Sequence, residues 1–235
     1  MSRPTVREEV DKLAGDQAKN AVFYITGSHL YGLETPESDV DVTIVYYDRK
    51  DDSRVFRQFP AVAHNKTNDL KLYSLRKIAE SVGKGNPNAT EMIYAQYRRV
   101  EENEARDAVH EFFSSISRQG TQPLAASYRG HLRQIIGELV TGSALTPKRV
   151  SHAIRVGESC LWLLRNGRVP RFASMTKERE YALAIKCGEA PVADGLGRVQ
   201  ELESQVTLCW AEAYAELPDN AELTEGINDY FVGIR

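Results

Sequence analysis

The chain has 235 residues, of which 42% are hydrophobic, and its formal net charge is −3. This length allows one large domain or two small ones around a buried core, and the charge excludes a global basic field of the kind that attracts nucleic acid. No apolar run approaches the length of a membrane span, and no signal-peptide pattern opens the sequence. We therefore expect a cytoplasmic protein that does not enter a membrane.

The cysteines agree with that compartment. Cys160, Cys187 and Cys209 are odd in number, lack C-x-x-C spacing and fall in helical patterns. We interpret them as buried thiols in a reducing environment.

A short apolar segment, residues 21–26, is rich in β-branched and aromatic side chains and predicts a buried strand. Gly27 follows it and allows the backbone to turn sharply and to approach a ligand closely. Ser28 adds a hydroxyl and a backbone N–H, and a helix beginning here would present free N–H groups to a phosphate. This Gly-Ser turn is therefore a candidate phosphate site.

A pair of aspartates follows the turn that residues 35–38 predict. Residues 39–47 form a largely apolar run that predicts a second strand, and Asp39 and Asp41 open it. Residues two apart on a strand share a face, with Cα atoms roughly 7 Å apart. Two carboxylates this close repel one another unless a cation lies between them, and Mg²⁺ accepts such ligands together with phosphate oxygens. The plain alternative is an exposed acidic strand edge.

The chain changes character after about residue 73. The earlier part predicts strands and turns around one amphipathic N-terminal helix, and the later part is almost wholly helical. Asn88 and Glu91 have capping-box spacing, so a helix over residues 88–96 is expected, with Glu91 in a structural role. Further helices are predicted over residues 104–117, 123–140, 147–166, 174–187 and 191–217. The fold class is α+β: a small mixed β-sheet core in residues 1–120, followed by a helical domain in residues 121–235 that completes the cleft.

The helix that begins after Thr146 carries a polar stripe. Thr146 caps it and Pro147 occupies its first turn, while Lys148, His152, Arg155 and Ser159 recur at helical spacing on one side. Lysine and arginine on this stripe would suit the phosphates of a triphosphate. The alternative is a solvated basic face. Basic residues also outnumber acidic ones over the whole of residues 148–179 and could face phosphates, whereas residues 189–235 are acidic and could instead pair with them.

The Gly27–Ser28 turn followed by Asp39-Val40-Asp41 resembles the signature of the DNA polymerase β-type nucleotidyltransferase superfamily. The fuller string, Gly-Ser-His-x-Tyr-Gly-Leu-x-Thr-Pro-x-Ser-Asp-x-Asp, resembles one branch of bacterial and phage predicted nucleotidyltransferases, which includes RNA-ligase-associated members. Residues 68–77 with 85–91, and residues 148–155, match the same branch.

The resemblance implies a third carboxylate on a neighbouring strand. Asp69 is the candidate because it opens an alternating segment, and Asp48, Asp51 and Asp52 in a polar run are its rivals. It also implies the site residues, which are Asp39, Asp41 and Asp69 for catalysis and metal binding, and Gly27, Ser28, His29, Lys148, His152 and Arg155 for nucleotide binding.

The activity implied is Mg²⁺-dependent transfer of a nucleoside monophosphate from a nucleoside triphosphate to a hydroxyl, with an RNA end as the expected acceptor and pyrophosphate as the product. Mn²⁺ is an alternative cofactor. Two other classes stay open: a regulator that nucleotidylates proteins, such as an antitoxin-type modifier, and a non-catalytic protein that binds nucleotide or RNA. The sequence names neither the preferred base nor the oligomeric state.

Overall fold

The computed structural model describes residues 21–46, 62–64, 69–95, 104–116, 118–142, 145–221 and 225. Its sheet is built from the strands β1 (Ala21–Ile25), β2 (Val42–Tyr46), β3 (Val62–His64) and β4 (Asp69–Ser74) in the spatial order β1-β2-β4-β3. β1 is antiparallel to β2, β2 is parallel to β4, and β3 is antiparallel to β4. The predicted N-terminal helix and Asp48, Asp51 and Asp52 lie outside the described residues.

The second strand begins later than its sequence predicts. β2 starts at Val42, so the prediction that Asp39 opens this strand was wrong. Ser38 N–H donates to the Thr35 carbonyl and the Ser38 hydroxyl accepts from Thr35 N–H, both at 2.9 Å. This turn precedes the sheet, and backbone pairing with the β1 segment begins only at Asp41, whose carbonyl accepts from Thr26 N–H at 2.9 Å.

The register of β2 and β4 places the backbone of Asp69 beside that of Asp41. Val42 pairs with Leu70 across the parallel strands β2 and β4. Asp41 and Asp69 each come one residue earlier, so they occupy the same level of neighbouring segments. Strand pairing was needed to establish this relationship, because the two positions lie 28 residues apart along the chain.

Helices make up most of the rest of the described chain. They are α1 (Gly27–Tyr31), α2 (Leu75–Gly83), α3 (Pro87–Glu91), α4 (Glu104–Ser115), α5 (Gln122–Val140), α6 (Pro147–Asn166), α7 (Thr176–Cys187) and α8 (Val192–Ala213). Short 3₁₀ turns cover Met92–Tyr94, Phe172–Ser174 and Tyr214–Glu216. A small mixed sheet followed by a helical C-terminal half confirms the predicted α+β class. No helix among these residues is long and apolar enough to cross a bilayer.

Among the described residues, two clusters of buried side chains form the core. One joins the sheet to α2, α3 and α4 around residues such as Val45, Leu75 and Phe112. The other surrounds α6: its Ile154 and Leu161 belong to one cluster with buried residues of α5, α7 and α8 and with Leu33 from the loop after α1. The first half therefore contributes to the helical core, and the division at residue 120 stays a prediction.

Capping residues account for where several helices begin. The Thr146 hydroxyl accepts from Arg149 N–H at 3.2 Å, with Pro147 in the first turn as predicted. The cap predicted at Asn88 was wrong, because the side chain of Asn86, two residues earlier, accepts from Ala89 N–H and caps α3. Glu91 is therefore not part of a capping box. The cysteine prediction was also wrong in part, since Cys160 is buried but Cys187 is exposed.

Candidate active site

A cavity of about 540 Å³ lies between the sheet and the helices α1, α2, α3, α6 and α7. This volume falls within the range of about 300–1,000 Å³ that small-molecule sites occupy. Its polar and charged lining includes Gly27, Ser28, Asp41, Lys71, Lys148, Ser151, His152, Arg155 and Lys186. Strand ends, the Gly-Ser turn and two helices from the C-terminal half thus meet at one concave surface.

Most of the site residues proposed from sequence come together here. Gly27, Ser28, Asp41, Lys148, His152 and Arg155 all line this cavity. Asp39 and His29 do not line it, and Asp39 is exposed in the loop before β2. The backbone of Asp69 reaches the level of Asp41 through the register of β2 and β4. Ser159, the last residue of the predicted stripe, is fully buried away from the cavity.

Gly27 and Asp41 form the tightest part of the site. Gly27 has a positive φ of 61°, and a Cβ atom there would lie 1.7 Å from Oδ2 of Asp41. A side chain at position 27 would therefore displace the carboxylate. The Thr26 and Thr43 hydroxyls, 3.2 Å apart, tie the same two strand ends together. Glycine at this turn lets the backbone approach the carboxylate that faces the cavity.

Positive charge predominates on the described lining of the cavity. In the described lining, the amines of Lys71, Lys148 and Lys186 stand against the carboxylate of Asp41, while the charge of Arg155 is paired with Glu91. A concave surface with this balance favours an anionic ligand, since walls of one charge sign concentrate the field inside a cleft.

Lys186 is a functional candidate that the sequence did not reveal. Its amine donates to the Leu33 carbonyl and, at 3.3 Å, to the Ser38 hydroxyl, so α7 holds the loop that leads to the aspartates. Burial lowers the pKa of Lys186, and the charge of Lys148 lowers it further. The helical spacing of residues 174–187 gives no sign of this role, because the contact joins residues 153 positions apart.

Arg155 lines the cavity, but its guanidinium is already held. It lies 3.4 Å from Oε2 of Glu91, and its Cζ sits 3.9 Å from the centre of the Tyr31 ring. Tyr31 donates to Glu91 Oε2 at 2.7 Å, and Tyr128 donates to Oε1. Burial raises the pKa of both phenols well above the usual range, so both remain O–H donors. Arg155 thus belongs to a buried network that joins α1, α3, α5 and α6.

His152 is an uncharged member of the lining. Burial, and after it the positive charge of Arg155, lower its pKa to about 3. Its Nε2 lies 3.1 Å from Nη2 of Arg155, and its Nδ1 lies 3.4 Å from Nη1 of Arg149. The ring meets His131 edge to face, with centroids 5.1 Å apart. His152 therefore carries no positive charge at neutral pH, and both of its ring nitrogens face arginine side chains.

Ser151 is a second residue of the cavity that the sequence pattern did not indicate. It is 1% exposed, it lines the cavity, and its hydroxyl has no hydrogen-bond partner in the described part of the chain. A buried hydroxyl without a partner is costly, so a ligand that supplies one would be favoured at this position.

The acidic side chains of the described residues bear on whether the cavity could hold a metal ion. No three His, Cys, Asp or Glu side chains among them converge on one point. Among the described residues of the lining, Asp41 is the one that presents a carboxylate, in the space that Gly27 leaves open. One carboxylate in a cavity with room for phosphate oxygens and water fits Mg²⁺, which binds proteins through one or two carboxylates and takes its other ligands from substrate and solvent.

Comparison with known proteins agrees with this geometry. The model of the RlaP family, described as an RNA repair pathway DNA polymerase beta family, matches residues 3–233 of the chain. Among curated proteins, no match was found.

Proposed function

Because the chain belongs to the RNA repair pathway DNA polymerase beta family, a family of polymerase-β-type nucleotidyltransferases, we propose that it transfers a nucleoside monophosphate from a nucleoside triphosphate to a hydroxyl at an RNA end. The observation that carries the proposal is the meeting of the Gly27–Ser28 turn, Asp41 and Lys148 in one cavity. The turn and Asp41 come from the N-terminal half of the chain and Lys148 from the C-terminal half, and the fold brings them to one cavity.

The triphosphate would lie along the lysine side chains that line the cavity. Lys148 on α6 and Lys186 on α7 approach the cavity from the side opposite the sheet, and Lys71 approaches from β4. Ammonium groups neutralise the charge of phosphates that do not react, and their hydrogen bonds to phosphate oxygens are charge-assisted. The Ser28 hydroxyl and the backbone around Gly27 would hold the same phosphates from the strand side.

The aspartates would hold the metal ion beside the attacking hydroxyl and the α-phosphate. Asp41, together with Asp39 and Asp69, would bind Mg²⁺, with Mn²⁺ as an alternative. When bound, such an ion neutralises the triphosphate and lowers the pKa of the attacking hydroxyl. The acceptor oxygen would bond to the α-phosphorus as the bond from that phosphorus to the bridging oxygen breaks. Pyrophosphate would leave, and Asp69 would accept the hydroxyl proton.

A transfer assay tests the proposal. Each of the four α-labelled triphosphates would be offered with RNA, DNA or protein acceptors, in Mg²⁺, Mn²⁺ or excess chelator. We expect label on RNA, dependent on the divalent ion. Asp41→Asn should lower the rate by roughly a thousandfold or more, since a lost charge at the reacting centre costs several kcal/mol of barrier.

Glu37→Gln supplies the matched control, since Glu37 is exposed in the same loop and lies outside the cavity lining. It should retain the wild-type rate. Label on protein instead of RNA would assign a different acceptor, and transfer to no acceptor, or full activity in chelator, would refute the proposal.

A further inference from the structure

Outside the cavity, three arginines gather around Tyr94. Arg118 precedes α5, whereas Arg168 and Arg171 follow α6. Val169 N–H donates to the Arg118 carbonyl at 2.8 Å, and residues 119 and 168 form an antiparallel bridge. This backbone pairing brings arginines from two distant segments to one surface. We call this surface the arginine patch; it consists of Arg118, Arg168, Arg171 and Tyr94.

The Tyr94 ring lies near the guanidinium groups of two of these arginines. Cζ of Arg118 lies 5.6 Å from the ring centroid and Cζ of Arg171 lies 5.8 Å from it. The Tyr94 hydroxyl donates to the Val169 carbonyl at 3.0 Å, which fixes the ring against the bridged segments. A guanidinium near an aromatic face is held by its charge, and its N–H groups stay available at the rim of the plane.

Arg168 is close enough to act on the same phenol. Burial raises the pKa of Tyr94, and the charges of Arg118, Arg168 and Arg171 each lower it. Three positive charges therefore surround one half-buried ring, and their mutual repulsion is a cost that an anion would relieve.

No carboxylate neutralises these arginines in the described part of the chain. Ion pairs with Asp or Glu are formed there by other arginines, which are Arg149, Arg155, Arg179 and Arg198. Arg118, Arg168 and Arg171 are all exposed and make no such pair. The chain as a whole has a formal net charge of −3. The three exposed arginines without a carboxylate partner therefore make a local region of positive charge on it.

The arginine patch also adjoins the cavity. Met92 lines the cavity, and Tyr94 comes two residues later in the same 3₁₀ turn. Such a turn rises about 2 Å per residue, so a strand of acceptor that crosses the patch has only a short distance to cover before its end enters the site.

We propose that the arginine patch binds the phosphates of the single-stranded RNA whose end is the acceptor. This inference rests on the proposed function, which supplies RNA as the substrate. A planar guanidinium matches two oxygens of a phosphate, and several phosphates along one strand match several cations at once. Because phosphates carry no base identity, binding at the patch is independent of sequence.

Fluorescence anisotropy of a labelled single-stranded RNA, titrated without triphosphate or divalent ions, tests the inference. The variants are Arg118→Gln, Arg168→Gln and Arg171→Gln, singly and together. Arg133→Gln is the matched control, since Arg133 is exposed on α5 and lies outside the patch. Thermal unfolding of each variant confirms that it is folded.

Each phosphate contact with a single strand contributes about 0.7 to the slope of the logarithm of the binding constant against the logarithm of salt concentration. We expect each single variant to flatten that slope by about 0.7 and the triple variant by about 2, equally for two RNAs of unrelated sequence. Arg133→Gln should leave it unchanged.

Binding by the triple variant with the wild-type slope, or an equal loss in Arg133→Gln, would overturn the inference. Patch-dependent binding of polyglutamate with the same strength would overturn the assignment to RNA. Failure of the proposed function looks different: the wild type would bind RNA through the patch but transfer no nucleotide to it. Transfer to RNA by the triple variant with the wild-type KM for RNA would instead refute the patch alone.

Discussion

The carboxylate of Asp41 occupies the space that a side chain on residue 27 would need. A Cβ atom at Gly27 would lie 1.7 Å from Oδ2 and 2.5 Å from Cγ of Asp41. The backbone of Gly27 and the carboxylate of Asp41 are therefore packed so closely that a side chain at residue 27 would displace the carboxylate.

Gly27→Ala should therefore abolish nucleotide transfer. The change adds backbone strain of about 1–2 kcal/mol, because an L-residue at positive φ is disfavoured, and it also pushes the Asp41 carboxylate out of position. Gly142→Ala is the control, because Gly142 has a φ of 70° and a Cβ atom there meets nothing within 4 Å. It should lose similar stability in urea unfolding and keep its activity. Equal activity in the two variants would contradict the role assigned to this contact.

Glu91→Gln should destabilise the protein strongly. Glu91 is 2% exposed and faces Arg155, which is 3% exposed. Removing one charge of a buried pair leaves the other uncompensated, and such losses run to about 3–5 kcal/mol. Guanidinium unfolding measures the change. Glu80→Gln breaks the exposed ion pair with Lys77 and should cost less than about 0.5 kcal/mol. A small effect in Glu91→Gln would mean that this network does not stabilise the junction of the two halves.

Lys148→Ala and Lys186→Ala should each weaken triphosphate binding by about tenfold, the equivalent of one charge-assisted hydrogen bond. The loss should be similar for all four bases, because the phosphates are common to them. Calorimetric titration with a non-hydrolysable triphosphate measures it. Lys177→Ala, an exposed change on α7 outside the cavity lining, should bind as the wild type does. A loss confined to one base would place the lysines near the base instead.

The stability of the fold should decrease as the pH falls below about 6.5, in part through His152. Its pKa is lowered to about 3 in the folded chain, against about 6.5 when unfolded. Between these values the unfolded state binds more protons, so stability rises with pH at up to about 1.4 kcal/mol per unit. His152→Gln should flatten this slope in urea unfolding between pH 6.5 and 4. The exposed His110→Gln should leave it unchanged, and an unchanged slope in both variants would contradict a neutral His152.

Local patterns determined a large part of this protein. The apolar run of β1, the Gly27–Ser28 turn and the capped start of α6 depend on neighbouring residues, and the structure has all three. The spacing of Lys148, His152 and Arg155 likewise follows from helical geometry alone, so their common direction toward one cavity could be predicted. The start of β2 could not, because a side-chain turn at Ser38 competed with the strand for the residues before Asp41.

Tertiary structure decided which groups meet. Lys186 reaches the carbonyl of Leu33, 153 positions earlier in the chain, and Glu91 receives Tyr31, Tyr128 and Arg155 from three separate helices. The arginine patch likewise exists only because a backbone bridge pairs residues 119 and 168. A periodic sequence states which side chains share a face of one element, since that depends on a fixed rotation per residue. Which face meets which is decided by packing, because it depends on the joint burial of apolar surface from every element at once.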